Sequence, residues 1–184
     1  MTDKASGNYA GVSRVNHWAG SLLFGGMLIV GFYLAYGGLE RDARAPIMGL
    51  HRATGTLLLL FAVWRVAWRI RQGFPSPMDG VPAWQVTLSR ITHWGLILSM
   101  LVMPLSGVFP MSLLAGRTID LYGLVTLQPL AEIEGMRPLG RQLHQIAAFA
   151  FAGFIALHIA GALKHLMIDK DGTVQRMLTG RRAG

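Results

Sequence analysis

Four long apolar segments restrict this chain to one kind of architecture. They cover residues 15–37, 47–68, 91–115 and 143–168, and each exceeds the roughly 20 residues that a helix needs to cross the hydrocarbon core of a bilayer. The chain is 52% hydrophobic and only 14% charged, whereas soluble domains carry about 25% charged residues. The sequence therefore predicts an all-α fold, a four-helix transmembrane bundle that forms a single domain over residues 1–184.

The distribution of Lys and Arg predicts how the bundle is oriented. With the N-terminus in the cytoplasm, 11 of the 17 basic residues lie at the cytoplasmic side and six at the opposite side. Cytoplasmic loops of membrane proteins are enriched in Lys and Arg, so we expect both termini in the cytoplasm. The net charge of +8 has the same topological origin, and we expect membrane lipid rather than nucleic acid around this protein.

Four of the six histidines fall at two depths of the predicted bundle. His144 and His158 are 14 residues apart, which places them roughly 21 Å apart along a helix and within about 40° of the same face. His51 begins the second segment at the level of His144, and His17 begins the first at the level of His158. Ionisable groups inside a membrane are costly and usually functional. The sequence thus predicts two stacked pairs, His51/His144 and His17/His158.

Two stacked imidazole pairs suit two flat metal macrocycles held one above the other. A neutral imidazole is a good axial ligand of haem iron, and two such ligands leave no open position for O₂, which favours electron transfer. The chain has no Cys, which excludes iron–sulfur ligation and covalent haem attachment through a CxxCH motif. We therefore predict two non-covalent b-type haems with the four paired histidines as their iron ligands.

Glycines and arginines near these histidines fit the remainder of a haem. Gly20, Gly55 and Gly161 follow the paired histidines by three or four residues, and a missing side chain lets a porphyrin approach the backbone, although helix packing alone also explains such glycines. Arg52 and Arg65 lie near the two levels and are predicted to pair with haem propionates in a fork geometry. For Arg65 the alternative is that it only extends to the membrane surface.

Two histidines are left over. His93 begins the third segment, and His165 lies seven residues beyond His158, at the cytoplasmic side. Contact with a propionate, proton transfer and quinone binding are the functional interpretations of each. A hydrogen bond to a lipid headgroup or to water at the interface is the alternative, and the sequence leaves the choice open.

With these residues in place, the chain resembles the bacterial cytochrome b561 family over nearly its whole length. The resemblance rests on the order and spacing of five short motifs: Asn-His-Trp at 16–18, Leu-His-Arg at 50–52 with Arg65, His93 with Pro104 and Gly107, Leu-His at 143–144, and Leu-His at 157–158 with His165. It implies a di-haem cytochrome of the bacterial inner membrane in which the four paired histidines ligate the haems.

The resemblance extends to members that act as superoxide:quinone oxidoreductases. It implies that superoxide gives an electron at the periplasmic side and that ubiquinone receives it within the membrane. A basic rim would steer the anion inward, and the candidates for it are Arg41, Arg44, Arg117, Arg137 and Arg141. The chain departs from the family pattern in its long loop at 116–141, where the apolar run Ile119–Leu130 is expected to lie on the membrane surface or to cap the bundle.

Three other functions fit parts of the same pattern. A cytochrome b subunit would relay electrons between quinone and a partner oxidoreductase. A metal-ion transporter would bind its ion directly with the intramembrane histidines. A purely structural membrane subunit would have no electron-transfer or transport function. The residues themselves do not distinguish superoxide from a protein donor, and they leave the oligomeric state open.

Overall fold

Four long helices make up most of the structure. The computed structural model describes residues 11–74 and 80–179, and its long helices are α1 (Gly11–Tyr36), α2 (Arg41–Gln72), α3 (Ala83–Val108) and α4 (Met136–Lys164). All four are long and apolar enough to cross a membrane. The predicted four-helix transmembrane bundle is therefore confirmed.

The helices extend beyond the apolar segments that indicate them in the sequence. For example, α2 begins at Arg41 rather than near residue 47 and ends at Gln72 rather than near residue 68. Likewise, α4 begins at Met136, seven residues before its apolar segment. An apolar run marks only the part of a helix that lies in hydrocarbon, and polar or charged residues continue the helix through the interfacial region.

Both α3 and α4 end in a wider, π-helical turn. The turn after α3 covers Phe109–Leu113 and contains Pro110, which has no backbone N–H to donate to the helical ladder. Ser112 Oγ donates to the Gly107 carbonyl at 2.9 Å and so satisfies one acceptor near this irregularity. The turn after α4 covers His165–Asp169.

A β-hairpin in the long connection before α4 departs from the all-α pattern. Strands β1 (Ile119–Leu121) and β2 (Val125–Leu127) pair antiparallel. Tyr122 and Gly123 at the turn both have positive φ angles, 58° and 73°, as the tight turns that join twisted antiparallel strands require. The apolar composition of this stretch predicts a surface-lying or capping segment but gives no indication of this hairpin.

The hairpin caps one end of the bundle. Ile119 is 1% exposed and packs with Val108 and Leu113 at the end of α3. The Tyr122 hydroxyl lies 2.6 Å from Thr54 Oγ1 on α2, one helical turn beyond His51. Part of the expected capping segment is thus held by apolar packing and a hydrogen bond, whereas Leu124 and Leu130 remain exposed. We call this end of the bundle the hairpin end.

The opposite end brings together the start of α1 and a short last helix, α5 (Thr173–Thr179). Arg14 donates to the Leu178 carbonyl at 3.2 Å, and Trp18 Nε1 donates to the Met177 carbonyl at 3.4 Å. The first and last described helices therefore meet here, and we call this side the terminal end.

The buried core lies midway between the two levels of histidines. It contains Phe24 from α1, Leu58 and Ala62 from α2, Met100 from α3 and Phe151 from α4. On each helix, one core residue lies midway between two positions that are 14 residues apart, one at each level. These midpoints are Phe24 between 17 and 31, Leu58 between 51 and 65, Met100 between 93 and 107, and Phe151 between 144 and 158. Because seven residues are two helical turns, about 10 Å, the bundle consists of two polar levels separated by one apolar level.

Candidate functional site

The hairpin end holds the first pair of imidazoles. His51 on α2 and His144 on α4 have ring centres 6.2 Å apart, with ring planes at 83° to each other. Both side chains are partly buried. The predicted pairing by depth therefore corresponds to a direct approach of these two rings.

The terminal end holds the second pair. His17 on α1 and His158 on α4 have ring centres 6.0 Å apart, with planes at 65°. A third imidazole joins them, because the ring centre of His93 on α3 lies 5.3 Å from that of His158. Phe74 stacks on the other side of His93 at 5.4 Å. His93, which the sequence places at the cytoplasmic side, is thus part of the polar level at this end, and its role stays open.

The two ring separations fit a metal ion between each pair. Two imidazoles that bind one ion from opposite sides have ring centres about 6 Å apart, because a metal–imidazole bond is about 2 Å long and the ring centre lies about 1 Å behind the nitrogen. His51 Nδ1 is buried without a hydrogen-bond partner among the described residues, and such an atom is rare unless something else satisfies it. The donor set of two neutral imidazoles is that of a bis-histidine haem.

Helix α3 holds His144 in place. His144 Nδ1 lies 3.0 Å from the Met103 carbonyl oxygen and 3.0 Å from Ser106 Oγ. The next residue, Gly107, faces the same ring, and a Cβ there would lie 3.4 Å from His144 Cε1. The backbone and small side chains of α3 therefore form one wall around this imidazole.

The glycines that contact the paired histidines are not the three predicted to leave room for a porphyrin, and the role of those three stays a prediction. A Cβ at Gly31 would lie 3.4 Å from His51 Cε1. By contrast, a Cβ at Gly161 would meet nothing within 4 Å, and one at Gly55 would meet only Met27 at 3.8 Å. Gly20 is close to a functional side chain, since a Cβ there would overlap the Arg65 guanidinium.

A common register could have identified Gly31 and Gly107 in the sequence. Each helix carries two site residues 14 apart: His17 and Gly31, His51 and Arg65, His93 and Gly107, His144 and His158. Fourteen residues return to nearly the same face of a helix. The same spacing that identifies the histidine pairs thus also identifies both glycines.

The two predicted arginines have different surroundings. Arg65 donates to the backbone carbonyls of Asn16 and His17, so it binds the start of α1 beside the terminal-end pair. Arg52 Nε is buried without a hydrogen-bond partner among the described residues, beside His51. Of the two, Arg52 is the guanidinium with an unused buried donor.

A basic cavity lies over the hairpin-end pair. Its volume is about 390 Å³, and its walls include His51 and His144. Five arginines also line it, and no Asp or Glu does within residues 11–74 and 80–179: Arg44, Arg52, Arg117, Arg137 and Arg141. Burial and then the charges of Arg137 and Arg52 lower the pKa of Arg117. The cavity therefore has an uncompensated positive charge, to which four of the five predicted rim arginines and Arg52 contribute.

His165 lies in a cluster of charged groups after α4. Its Nδ1 is 2.7 Å from Asp171 and 3.3 Å from Asp169, and Lys164 Nζ pairs with Asp169 at 2.6 Å. Burial raises the pKa of the Asp171 carboxyl, but hydrogen bonds from Thr173 and His165 lower it by a larger amount. The pKa of Asp171 therefore lies below its ordinary value. This histidine is oriented by carboxylates at the terminal end.

Comparison with known proteins identifies the family. The family model for prokaryotic cytochrome b561 matches residues 8–180. The chain is 29% identical to cytochrome b561 homolog 2 of Escherichia coli (strain K12), with 92% of this chain and 90% of that protein covered. It is 26% identical to cytochrome b561 homolog 1 of the same organism, with coverage of 72% and 74%. The chain therefore belongs to the prokaryotic cytochrome b561 family, membrane proteins that transfer electrons with b-type haem.

Proposed function

We propose that this protein carries electrons from superoxide at the hairpin end to a quinone at the terminal end through two bis-histidine b haems. The observation that carries the proposal is the presence of two imidazole pairs with ring separations of 6.2 and 6.0 Å, one at each polar level. When bound, a haem with two imidazole ligands exchanges single electrons and leaves no coordination position for O₂. His51 and His144 would hold one haem, and His17 and His158 the other.

The apolar level keeps the two sites separate. Phe24 packs edge-on against Phe151, with ring centres 6.1 Å apart, and both are buried with Leu58 and Met100 between the polar levels. A packed apolar layer excludes water and ions from the space between the two sites. Electrons can cross such a layer, whereas protons would need a hydrogen-bonded path.

The basic cavity supports an anionic electron donor at the hairpin end. Positive charge in a cleft raises the local concentration of a small anion and its rate of association. A haem carries two propionates, and the cavity has five arginines, so positive charge remains after both propionates are paired. This excess favours superoxide over a neutral or cationic donor.

The reaction balances with one quinone for two superoxide ions. Each superoxide loses one electron and becomes dioxygen, and the quinone takes up both electrons and two protons to become a quinol. His165, oriented by Asp171 at the terminal end, is the side chain that we assign to proton delivery. His93 would form the polar wall of the same site beside His158.

Haem content and absorption spectra of the purified protein test the cofactor assignment. We expect two haems per chain and the spectrum of reduced b-type haem. His144→Ala and His158→Ala should each remove about one haem, whereas His165→Ala should retain both. A colourless protein that contains zinc or copper would contradict the assignment and support metal-ion transport instead.

The donor and acceptor require a separate assay. Superoxide generated in solution should be consumed faster when the protein and a ubiquinone analogue are both present. One quinol should form for every two superoxide ions consumed. A protein that reduces quinone only together with a co-purified dehydrogenase would contradict superoxide as the donor. That result would favour a cytochrome b subunit.

A further inference from the structure

Helix α3 contributes neither histidine of the hairpin-end pair, yet two of its groups contact one of the two rings. Ser106 Oγ, the Met103 carbonyl oxygen and His144 Nδ1 form a triangle with sides of 2.7, 3.0 and 3.0 Å. Ser106 is only 4% exposed. We propose that Ser106 is a positioning residue that sets the tautomer, the ring orientation and the reduction potential of the haem bound by His144.

The tautomer follows from the chemistry of the three atoms. A carbonyl oxygen only accepts hydrogen bonds, so the His144 nitrogen that faces Met103 carries the proton. The Ser106 hydroxyl donates to the same carbonyl at 2.7 Å and offers its own lone pair to His144 Nδ1. With the proton held on Nδ1, the lone pair of Nε2 is available for iron.

The same hydrogen bonds lower the reduction potential. A ligand imidazole that donates its second N–H becomes a stronger base toward its metal ion, and a more basic ligand stabilises ferric over ferrous iron. His144 is the one paired histidine for which the described residues provide a hydrogen-bond acceptor at a ring nitrogen.

The consequence is a direction for electron flow. A lower potential at the hairpin end than at the terminal end makes transfer from the first site to the second favourable. Ser106 thereby contributes to the vectorial transfer assigned under the proposed function, and the inference rests on His144 being an iron ligand.

Ser106→Ala and Ser106→Thr test the assignment, with Ser99→Ala as the matched control. Ser99 is also buried on α3, two turns away from Ser106, so its loss reproduces the removal of a buried hydroxyl elsewhere on the same helix. The measurements are haem content, the midpoint potentials of both haems by spectroscopic titration, and the electron paramagnetic resonance spectrum of the ferric state. None of them requires turnover.

We expect Ser106→Ala to shift the potential of one haem upward and to move one set of resonance signals, while the other haem is unchanged. Ser106→Thr retains the hydroxyl and should restore both properties, and Ser99→Ala should leave both haems unchanged. Loss of one haem from Ser106→Ala but not from Ser99→Ala would also support positioning.

Two results would overturn the inference, and they differ in what else they affect. If His144→Ala removes one haem but Ser106→Ala leaves both potentials and both signals unchanged, Ser106 has only a packing role and the proposed ligands stand. If His144→Ala retains two haems, the ligand assignment fails together with the inference.

Discussion

The hairpin-end pair and the terminal-end pair have nearly the same ring separation, 6.2 against 6.0 Å, but different surroundings. At the hairpin end, the backbone and Ser106 of α3 hold His144, and arginines surround an open cavity. At the terminal end, α3 contributes a third imidazole instead, and Arg65 binds the backbone of α1. One helix thus holds a paired imidazole at one end and adds a third imidazole at the other. Under the proposed function, the first end would receive an anionic donor and the second would couple electron transfer to protons.

The largest expected difference is in the response to loss of a ligand. We expect His51→Ala to lose about half of the total haem. His17→Ala should lose less, because His93 already lies 5.3 Å from His158 and provides a replacement imidazole. Haem per chain by the pyridine haemochrome method measures both. The double variant His17→Ala/His93→Ala should lose the terminal-end haem fully, and equal losses in the two single variants would remove this distinction between the ends.

The apolar level should affect both ends alike. Phe151→Ala creates a cavity between the two sites, and such truncations of buried Phe cost about 3 kcal/mol or more. Thermal unfolding in detergent should show a large decrease in stability, with both haems lost together. Ile146→Ala, at an exposed residue on the same helix that does not line the cavity, is the control. Loss confined to one haem would show that Phe151 belongs to that site rather than to a shared core.

Charge reversal should affect only the hairpin end. Arg137→Glu places a carboxylate in the basic cavity, and we expect the rate of superoxide consumption at low salt to fall several-fold, with a weaker dependence on ionic strength. Arg41→Glu makes the same change at the start of α2, outside the residues that line the cavity. Equal effects of the two substitutions would indicate that net charge, rather than the cavity, attracts the donor.

The smallest effect concerns pH and the terminal end. Since the pKa of Asp171 lies below its ordinary value of 3.8, its ionised form stabilises the fold above that pH. The contribution is lost as the pH falls through the lowered pKa. Stability should therefore depend on Asp171 throughout pH 5–8, and the difference between wild type and Asp171→Asn should shrink below about pH 4. If the difference in stability between wild type and Asp171→Asn stays constant down to pH 3, the ionised carboxylate of Asp171 is not its cause.

The sequence predicts the parts of the molecule that repeat along a helix. The four spans follow from apolar length, and the approach of His17 to His158 and of His51 to His144 follows from depth. Whether these four bind haem iron stays a prediction. The level of His93 also follows from its depth. Its ring centre lies 5.3 Å from that of His158 because α3 packs against α4, and the sequence does not show how these helices face each other.

Other features depend on contacts between elements that are distant in the sequence. The hairpin depends on a turn at Tyr122 and Gly123 between two three-residue strands, whose alternation is too short to indicate a strand by itself. The bonds of Ser106 and Met103 to His144 depend on how two helices face each other. Arg65 donates to carbonyls of α1, a contact that no spacing within one helix indicates, and its pairing with a propionate stays a prediction.

The shared 14-residue register has a consequence for how this chain can change in length. One residue inserted or deleted between His144 and His158 would rotate one end of α4 by about 100° relative to the other and turn one imidazole away from its counterpart. The same holds for α1, α2 and α3 between their paired positions. Natural variation in length should therefore be confined to the connections and the helix ends, while the segments 17–31, 51–65, 93–107 and 144–158 keep a constant number of residues.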